Sequence, residues 1–452
     1  MEEYLMKTQS NFFNSNPISI VILFAGTLLG LLTQNMMATI LTPIINDFQI
    51  SASTAGWLTT IYSLIASILV PVSAFFTKRY SCRQLFTFSM LTFTIGSFIG
   101  IIATNFEILL FSRILQGIGT GILMSLLQIA IYCSCSIEQR NKLMGIIGVS
   151  MGFAPAFGPV LSGLMSDAWS WKSVFVLLTI IGAILLFLSL LLLKNLTKQE
   201  GNCFLDKLSL LLSSVGFSGF TLGISFISQF GLKSAITLSC LTAGLLIIFL
   251  FIHRQFRISQ PLLQLDTLKN KGMLTGTLFT FLLFTAFNGV SVVLPLYMQK
   301  FIGVSASVSG IVTFPGAVLV AVASLVSGFL ADKFGFHRLT VAASIMLCVG
   351  TGLLLTLNTG SSLVMIAAVQ CIRNFSIGLL IMPVTTWTLN QINTNLVSDG
   401  TAIINTVRQI SGAIGTSCML MFLQLFGVST AFFFSLTLSI LSLVIAVQKI
   451  KG

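Results

Sequence analysis

Long apolar segments recur along the whole chain and constrain its fold more than any other feature of the sequence. A helix needs about 20 mostly apolar residues to cross the hydrocarbon layer of a membrane, and fourteen segments of this kind follow one another here. Unpaired backbone polar groups are not tolerated in lipid, so each segment is predicted to be a helix. The predicted fold class is all-α, a polytopic membrane protein with 14 transmembrane helices. The predicted segments are 18–45, 54–76, 85–103, 108–133, 143–166, 173–193, 208–229, 234–253, 273–298, 306–331, 339–357, 361–387, 400–425 and 428–448.

The composition is typical of a membrane protein and not of a soluble domain. Of the 452 residues, 55% are hydrophobic and 8% are charged, whereas soluble domains carry about 25% charged residues. The first apolar run, residues 18–45, is too long for the apolar core of a cleaved signal peptide, so we expect it to be retained as a helix. The eight cysteines form no CxxC pair, which argues against a metal site or a disulfide framework.

The net charge of +12 records membrane topology. With the N-terminus in the cytoplasm, 17 of the 23 Lys and Arg residues fall in predicted cytoplasmic loops and tails, and three fall outside, at Lys172, Lys233 and Lys300. Cytoplasmic loops of membrane proteins carry such an excess of positive charge. Both termini are therefore predicted to be cytoplasmic. The basic residues predict contact with anionic lipid and not with nucleic acid.

Two stretches of the chain repeat one another at a constant spacing of 254 residues, "SAFFTKRYSCRQLF" (73–86) and "SGFLADKFGFHRLT" (327–340). Each follows the second helix of a six-helix block, which predicts two pseudosymmetric six-helix bundles with two helices inserted between them. Transporters are commonly built from such repeats, with the substrate site at mid-membrane between them. The predicted parts are a cytoplasmic tail (1–17), an N-terminal bundle (18–193), two inserted helices with linkers (194–272), a C-terminal bundle (273–448) and a cytoplasmic tail (449–452).

Five motifs carry a resemblance to a known family. The second repeat contains G-x-L-A-D-K-x-G-x-x-R, and "RILQGIGTG" (113–121) and "GFAPAFGPVLSGLMSD" (152–167) resemble the fourth- and fifth-span motifs of the major facilitator superfamily. "RNFSIGLLIMPVTTW" (373–387) and "NTVRQISGAIGTS" (405–417) are similar to signatures of its fourteen-span drug:proton antiporter branch, the EmrB-type multidrug exporters. The resemblance covers nearly the whole chain.

The resemblance implies a secondary active transporter in a bacterial cytoplasmic (inner) membrane, exporting drug-like or amphipathic small molecules by alternating access. It leaves open whether protons are a partner and whether a periplasmic adaptor is needed. Two other interpretations also stay open: a transporter of a specific organic anion, such as a metabolite or siderophore, without coupling; and a non-transporting membrane sensor. No cofactor is expected, since the sequence has no G-x-x-x-x-G-K-[ST] loop for a nucleotide, and no nucleophile and base suggest an enzyme.

Two regions are predicted to act in gating. Small glycine faces let helices approach closely and slide, and prolines bend a helix by removing backbone donors, so the fifth segment is predicted to be a bent, movable helix. The loop between the tenth and eleventh segments is predicted to latch the cytoplasmic side. The corresponding residues are Gly152, Pro155, Gly158, Pro159 and Gly163 in the segment, and Gly328, Asp332, Gly335 and Arg338 in the loop.

Three arginines, Arg113, Arg373 and Arg408, lie inside apolar segments. A cation there costs at least about 2.5 kcal/mol on insertion scales, so it faces a cavity or a partner. The spacings of Arg113 with Gln116 and of Asn405 with Arg408 place each pair on one helix face, and Arg373 is the repeat mate of Arg113. The resemblance implies proton coupling or substrate placement for Arg113; the alternative is a structural arginine that caps carbonyls of a neighbouring helix.

The usual first-span acid of the family is missing. Counting back from Pro43 puts Gln34 where the family has Asp, and all eleven acidic residues fall in tails, loops or segment ends. Three explanations stay open: protonation at Asp399 or Asp47, an acidic substrate that carries the charge, or uncoupled transport. The excess of arginine favours an anionic or neutral substrate. The predicted cavity residues are Gln34, Asn35, Tyr62, Arg113, Gln116, Gln128, Phe287, Asn288, Trp387, Asn405 and Arg408.

Overall fold

Fourteen α-helices form the described part of the chain. A computed structural model describes residues 17–135, 137–196, 206–231, 234–258, 261–304, 306–358 and 360–450. Residues 1–16 and 451–452 of the two predicted tails therefore lie outside the described residues. Each helix coincides with one predicted segment to within a few residues. In chain order they are α1 Pro17–Phe48, α2 Ala52–Arg79, α3 Cys82–Ile101, α4 Phe106–Ser134, α5 Ile137–Ala168, α6 Lys172–Leu192, α7 Lys207–Phe230, α8 Ala235–Gln255, α9 Lys271–Tyr297, α10 Ala306–Phe334, α11 Phe336–Leu354, α12 Leu363–Leu389, α13 Val397–Phe426 and α14 Val428–Lys449.

The predicted all-α fold class is confirmed, while the count of 14 spans is not. Twelve of the described helices are long and apolar enough to cross a membrane, and α5 would be a thirteenth if its two bent parts form one span. The remaining helix, α13, carries the polar Asp399, Asn405 and Arg408 among its first 12 residues, which lowers its apolarity. The protein is thus a multi-pass membrane protein with many apolar helices.

Helix ends are set by local sequence signals. Ser81 caps α3 by accepting a hydrogen bond from the backbone N–H of Gln84, whose side chain accepts in return from the backbone N–H of Ser81; this reciprocal pair satisfies two of the donors that a helix N-terminus leaves free. Gly335 (φ +81°) separates α10 from α11, and Gly427 (φ +89°) separates α13 from α14. Glycine adopts this left-handed region without steric cost, so these tight connections place consecutive helices side by side.

Helices α1 to α6 pack mainly on one another, and so do α9 to α14; we call these the first group and the second group. Helices α7 and α8 pair with each other, and α7 also contacts α2 and α13. The two groups meet where α5 packs on α10 and α12, and where α13 packs on α2 and α4. We call the end of the molecule where α2 and α4 end and α13 begins the basic end, because it carries Lys78, Arg79, Arg83, Arg140 and Lys142.

Helix α5 changes partner along its length. From Gly145 to Gly152, in its first half, it touches α10, so closely that a Cβ added to Gly152 would lie 2.4 Å from the backbone nitrogen of Ala321. Beyond a bend of 40° between Gln139–Pro155 and Phe157–Ala168, Gly158 and Gly163 face α1 instead. The predicted bend is present at the two prolines, which remove backbone hydrogen bonds. The close contact between the groups is therefore confined to one half of α5.

Candidate functional site

An ion pair joins the two groups at the basic end. The Nζ of Lys78, in the last turn of α2, lies 2.5 Å from Oδ2 of Asp399, in the first turn of α13. The other carboxylate oxygen of Asp399 accepts the backbone N–H of Gln264 at 3.0 Å. Asp399 was predicted at a segment end, and it lies in the first turn of α13, which begins at Val397; its side chain is 0% exposed.

A second contact between the groups lies beside the first. The side-chain amide of Asn141, in the second turn of α5, donates to the carboxylate of Asp332 at the end of α10. A Cβ added to Gly328 would lie 2.4 Å from the Asn141 carbonyl oxygen, so the glycine permits this approach. Of the predicted latch residues, Gly328 and Asp332 thus meet α5, and the helix N-terminus favours the carboxylate. Gly335 begins α11, and Arg338 is exposed.

Deeper along the same interface, a polar bridge connects α4 with α13. The side-chain amide of Asn405 donates to Ser125 Oγ at 3.2 Å and to Gln128 Oε1 at 3.1 Å. Arg408 Nη1 donates to Asn405 Oδ1 at 3.2 Å, which confirms that the two residues share a helix face. Nearer the basic end, the Tyr132 hydroxyl on α4 donates to the Thr386 carbonyl on α12 at 2.8 Å.

Arg408 has no acidic partner within ion-pair distance among the described residues. Its Nη2 donates to Thr385 Oγ1, and its Cζ lies 5.1 Å from the centre of the Phe284 ring. Its Nε is buried and has no hydrogen-bond partner. Arg408 is 6% exposed, so a positive charge is buried, and the described contacts of its guanidinium are to neutral groups of α9, α12 and α13.

Arg113 is enclosed within the first group. Its Nε donates to the Leu58 carbonyl on α2 at 3.1 Å, and its Nη1 donates to Gln116 Oε1 at 2.6 Å. The Tyr62 ring lies 4.3 Å from its Cζ, and Gln116 in turn donates to Ser97 Oγ on α3 at 2.9 Å. The structure therefore brings Arg113, Tyr62 and Gln116 together, away from Arg408. The bond to the Leu58 carbonyl is what is expected of a structural arginine that caps carbonyls of a neighbouring helix.

Arg373 occupies the corresponding helix of the second group. Its Nη2 donates to the Ala286 carbonyl on α9 at 2.8 Å, and its Nε and Nη1 have no partner. Helix α11 comes so close here that a Cβ added to Gly350 would lie 2.9 Å from the Arg373 Cα. Both repeat-related arginines thus tie one helix of their own group to another through a backbone carbonyl.

Several predicted cavity residues lie near the middle of their helices with half-buried side chains. Gln34 donates to Ser63 Oγ at 3.4 Å, Asn35 to the Leu31 carbonyl at 2.8 Å and Asn288 to the Phe284 carbonyl at 3.0 Å. Phe287 is also half-buried, whereas Trp387 is buried on α12. These side chains keep hydrogen bonds to nearby groups and retain exposed surface at mid-depth.

The structure adds four residues to the site that the sequence did not predict: Lys78, Tyr132, Thr385 and Gln409. Gln409 is half-buried and lies 3.8 Å from the Met124 sulfur across the interface. The spacing of four residues from Asn405 to Gln409, and from Gln128 to Tyr132, places each pair on one helix face and was the available signal. No sequence signal pairs Lys78 with Asp399 or Thr385 with Arg408, since those contacts join different helices.

A further charged pair lies at the basic end of α7 and α8. Asp206 caps α7 and accepts two hydrogen bonds from Arg254, from Nε at 2.8 Å and from Nη2 at 3.1 Å. These bonds hold the pKa of Asp206 at about 2, below its ordinary value of 3.8. Across the described ranges, no group of three His, Cys, Asp or Glu side chains is placed to hold a metal ion.

Comparisons with known proteins agree with this architecture. Residues 23–416 match the family model of the Major Facilitator Superfamily. The MFS-type transporter YcnB of Bacillus subtilis is 35% identical over 90% of this chain and 86% of its own length. The lincomycin resistance protein LmrB of Listeria monocytogenes is 31% identical over 89% of this chain and 85% of its own.

A solved structure shares the fold. The crystal structure of the human organic anion transporter MFSD10 superposes with a TM-score of 0.71 at 14% identity, covering 95% of this chain and 98% of that one. An identity this low shows similarity of fold alone. The family match, the relatives and the helix arrangement agree, and this chain belongs to the Major Facilitator Superfamily.

Proposed function

We propose that this protein exports drug-like or amphipathic small molecules by alternating access. One observation carries the proposal: close contacts between the two groups gather toward the basic end, at Lys78–Asp399, Asn141–Asp332 and Gly145–Ser324, while polar side chains at mid-depth stay half-buried. A transporter closed at one end and open at the other has this distribution. The two groups would then be the bundles 18–193 and 273–448, rocking about α5 and α10.

The class of substrate is supported by the site and by a relative. Amides such as Gln34, Asn288 and Gln409 supply adaptable hydrogen bonds, and Phe287 supplies flat apolar contact, a combination that suits varied ligands. LmrB is named for lincomycin resistance. We further propose membership of the fourteen-span, EmrB-like branch in a bacterial cytoplasmic membrane, with the basic end and both termini in the cytoplasm. The fourteen α-helices and the concentration of Lys and Arg support this.

We place proton coupling at Asp399. Gln34 cannot exchange a proton, and Asp47, the other predicted acceptor, is exposed and accepts a hydrogen bond from Trp171 Nε1 at 3.0 Å. Asp399 is fully buried and its ionised form attracts Lys78 across the interface. Protonation would remove that attraction and weaken the closure of the basic end, which couples a proton to the change of state.

A second function, transport of a specific organic anion such as a metabolite or siderophore, is favoured by one observation. Arg408 is buried beside Asn405, whose amide bonds to α4 of the first group, and no acidic side chain lies within ion-pair distance of Arg408 in the described chain. A buried cation is costly unless it is paired, so a substrate anion is a suitable partner.

Transport into everted membrane vesicles tests the first function. When substrate is added outside the vesicles and a pH gradient is imposed, we expect lincomycin and rhodamine 6G to accumulate inside. A protonophore should abolish this accumulation. Asp399→Asn should remove the response to the gradient, and Asp206→Asn, at the ion pair with Arg254 between α7 and α8, serves as the matched control. Correctly folded protein that accumulates neither compound would contradict the export proposal and favour the sensor interpretation. Accumulation that ignores the protonophore would contradict coupling alone.

A further inference from the structure

Arg408 differs from Arg113 and Arg373 in the type of its hydrogen-bond acceptors. Arg113 and Arg373 each donate to a backbone carbonyl of their own group, Leu58 and Ala286, and a carbonyl within a helix cannot move aside independently. Arg408 donates only to the side chains of Asn405 and Thr385. Side-chain acceptors can rotate away, so Arg408 can exchange them for a ligand.

The surroundings of Arg408 fit an amphipathic ligand. The Phe284 ring lies 5.1 Å from its Cζ, and one turn further along the same two helices a Cβ added to Gly412 would lie 3.1 Å from the Asn288 amide. Asn288 and its neighbour Phe287 are half-buried, as is Gln409 on α13. The α9–α13 contact therefore places an aromatic ring beside the guanidinium and two half-buried amides, Asn288 and Gln409, within one helical turn of this pair along the helices.

The charge and the free donor favour an anion. Arg408 Nε has no partner, and no acid neutralises the guanidinium within the described residues. Arginine presents paired donors that match both oxygens of a carboxylate, and the strength of this pairing rises in a site with little water.

We propose that Arg408 binds a carboxylate group of the transported molecule, with Phe284 against its apolar body. The inference rests on the proposed transport function and deepens it by naming the substrate class. Asn405 links this site to the polar bridge between α4 and α13. Its Oδ1 accepts from Arg408, and its amide donates to Ser125 and Gln128 on α4. A carboxylate that takes over Arg408 Nη1 leaves Asn405 without its acceptor role and loosens the bridge between α4 and α13.

A pair of dyes that differ only in the carboxyl group tests this site. Rhodamine 19 carries a free carboxylate, and rhodamine 6G is its ethyl ester. Fluorescence anisotropy with the purified full chain in detergent should show rhodamine 19 binding about tenfold more tightly, which corresponds to about 1.4 kcal/mol. Arg408→Gln should bring the ratio of the two dissociation constants close to one, while Arg408→Lys, which keeps the charge, should retain part of it. Arg83→Lys, at an exposed arginine of α3 outside the site, should leave the ratio unchanged.

Hydrogen exchange gives a readout that a structural role for Arg408 would not move. Rhodamine 19, but not rhodamine 6G, should speed amide exchange in peptides covering 125–134 of wild-type protein. Equal affinity for the two dyes in the wild type, or an unchanged preference in folded Arg408→Gln, would overturn the proposal while leaving drug export intact. If neither dye binds, the broader export proposal fails with it.

Discussion

Lys78 and Asp399 form a buried ion pair of 2.5 Å between the last turn of α2 and the first turn of α13. The resemblance to the family leads one to expect an acid at position 78, in the loop motif of the first repeat, but this chain has lysine there. The acid is supplied instead by α13, so the charges across the interface attract. Substitutions of Lys78 and Asp399 therefore test directly what holds the two groups together at the basic end.

Removing one partner of the pair should cost more than neutralising both. Lys78→Met leaves Asp399 buried and unpaired, which typically costs about 3–5 kcal/mol, whereas replacing a whole buried pair is often close to neutral. We expect the double variant Lys78→Met with Asp399→Asn to unfold at a higher temperature than Lys78→Met alone, because asparagine still accepts from the Gln264 N–H. Thermal unfolding in one detergent measures this. If the double variant loses as much stability as Lys78→Met and Asp399→Asn lose together, the two residues are not energetically coupled.

Transport should lose its pH dependence in Asp399→Asn and keep it in Asp206→Asn. Hydrogen bonds from Arg254 hold the pKa of Asp206 at about 2. A lowered pKa gives stability that is present above the ordinary value of 3.8 and lost as the pH falls toward 2, so this carboxylate does not titrate between pH 5 and 8. Initial rates of rhodamine 6G transport across that range make the comparison. The same flattening in both variants would remove Asp399 from the coupling step.

Gly152→Ala should push α5 and α10 apart near the middle of both helices. The added Cβ would lie 2.4 Å from the Ala321 backbone nitrogen, and backbone cannot yield as a flexible side chain does, so overpacking should cost about 1–3 kcal/mol. We expect faster hydrogen exchange in peptides of α5 and α10 near this contact.

The matched control for this change is Gly310→Ala on α10. A Cβ there meets nothing within 4 Å, and alanine favours a helix by about 1 kcal/mol over glycine, so exchange should stay the same or slow. If the amides of α5 and α10 exchange equally slowly in Gly152→Ala and in the wild type, the two helices can move apart there without loss of stability.

Gln34→Asp should add pH coupling at mid-membrane. Gln34 is half-buried and contacts Ser63 on α2, so an acid there would be partly desolvated and would gain and lose a proton as its surroundings change. We expect larger substrate-induced proton flux in vesicles than for wild type. Gln34→Asn, which alters size without adding an acid, is the control. Identical proton flux in the Asp variant would exclude Gln34 from the mechanism.

Much of the fold was predictable because a bilayer imposes a simple rule on the chain. Apolar length gave every helix from α1 to α14 to within a few residues, and the paired prolines of α5 gave its bend. Spacing along one helix also gave two side-chain pairs, Arg113 with Gln116 and Asn405 with Arg408. The count of 14 spans is not confirmed, because α5 is bent and α13 combines a buried acid with a buried arginine.

The sequence by itself determined the helices, their order and the absence of an acid in the first span, since these depend on local composition and periodicity. Only the tertiary structure decided that Asp399 is buried against Lys78, that Arg113 is enclosed within its own group and that Arg408 is held by the side chains of Asn405 and Thr385. Those outcomes depend on which helices become neighbours, and residues separated by hundreds of positions leave no periodic signal of their contact.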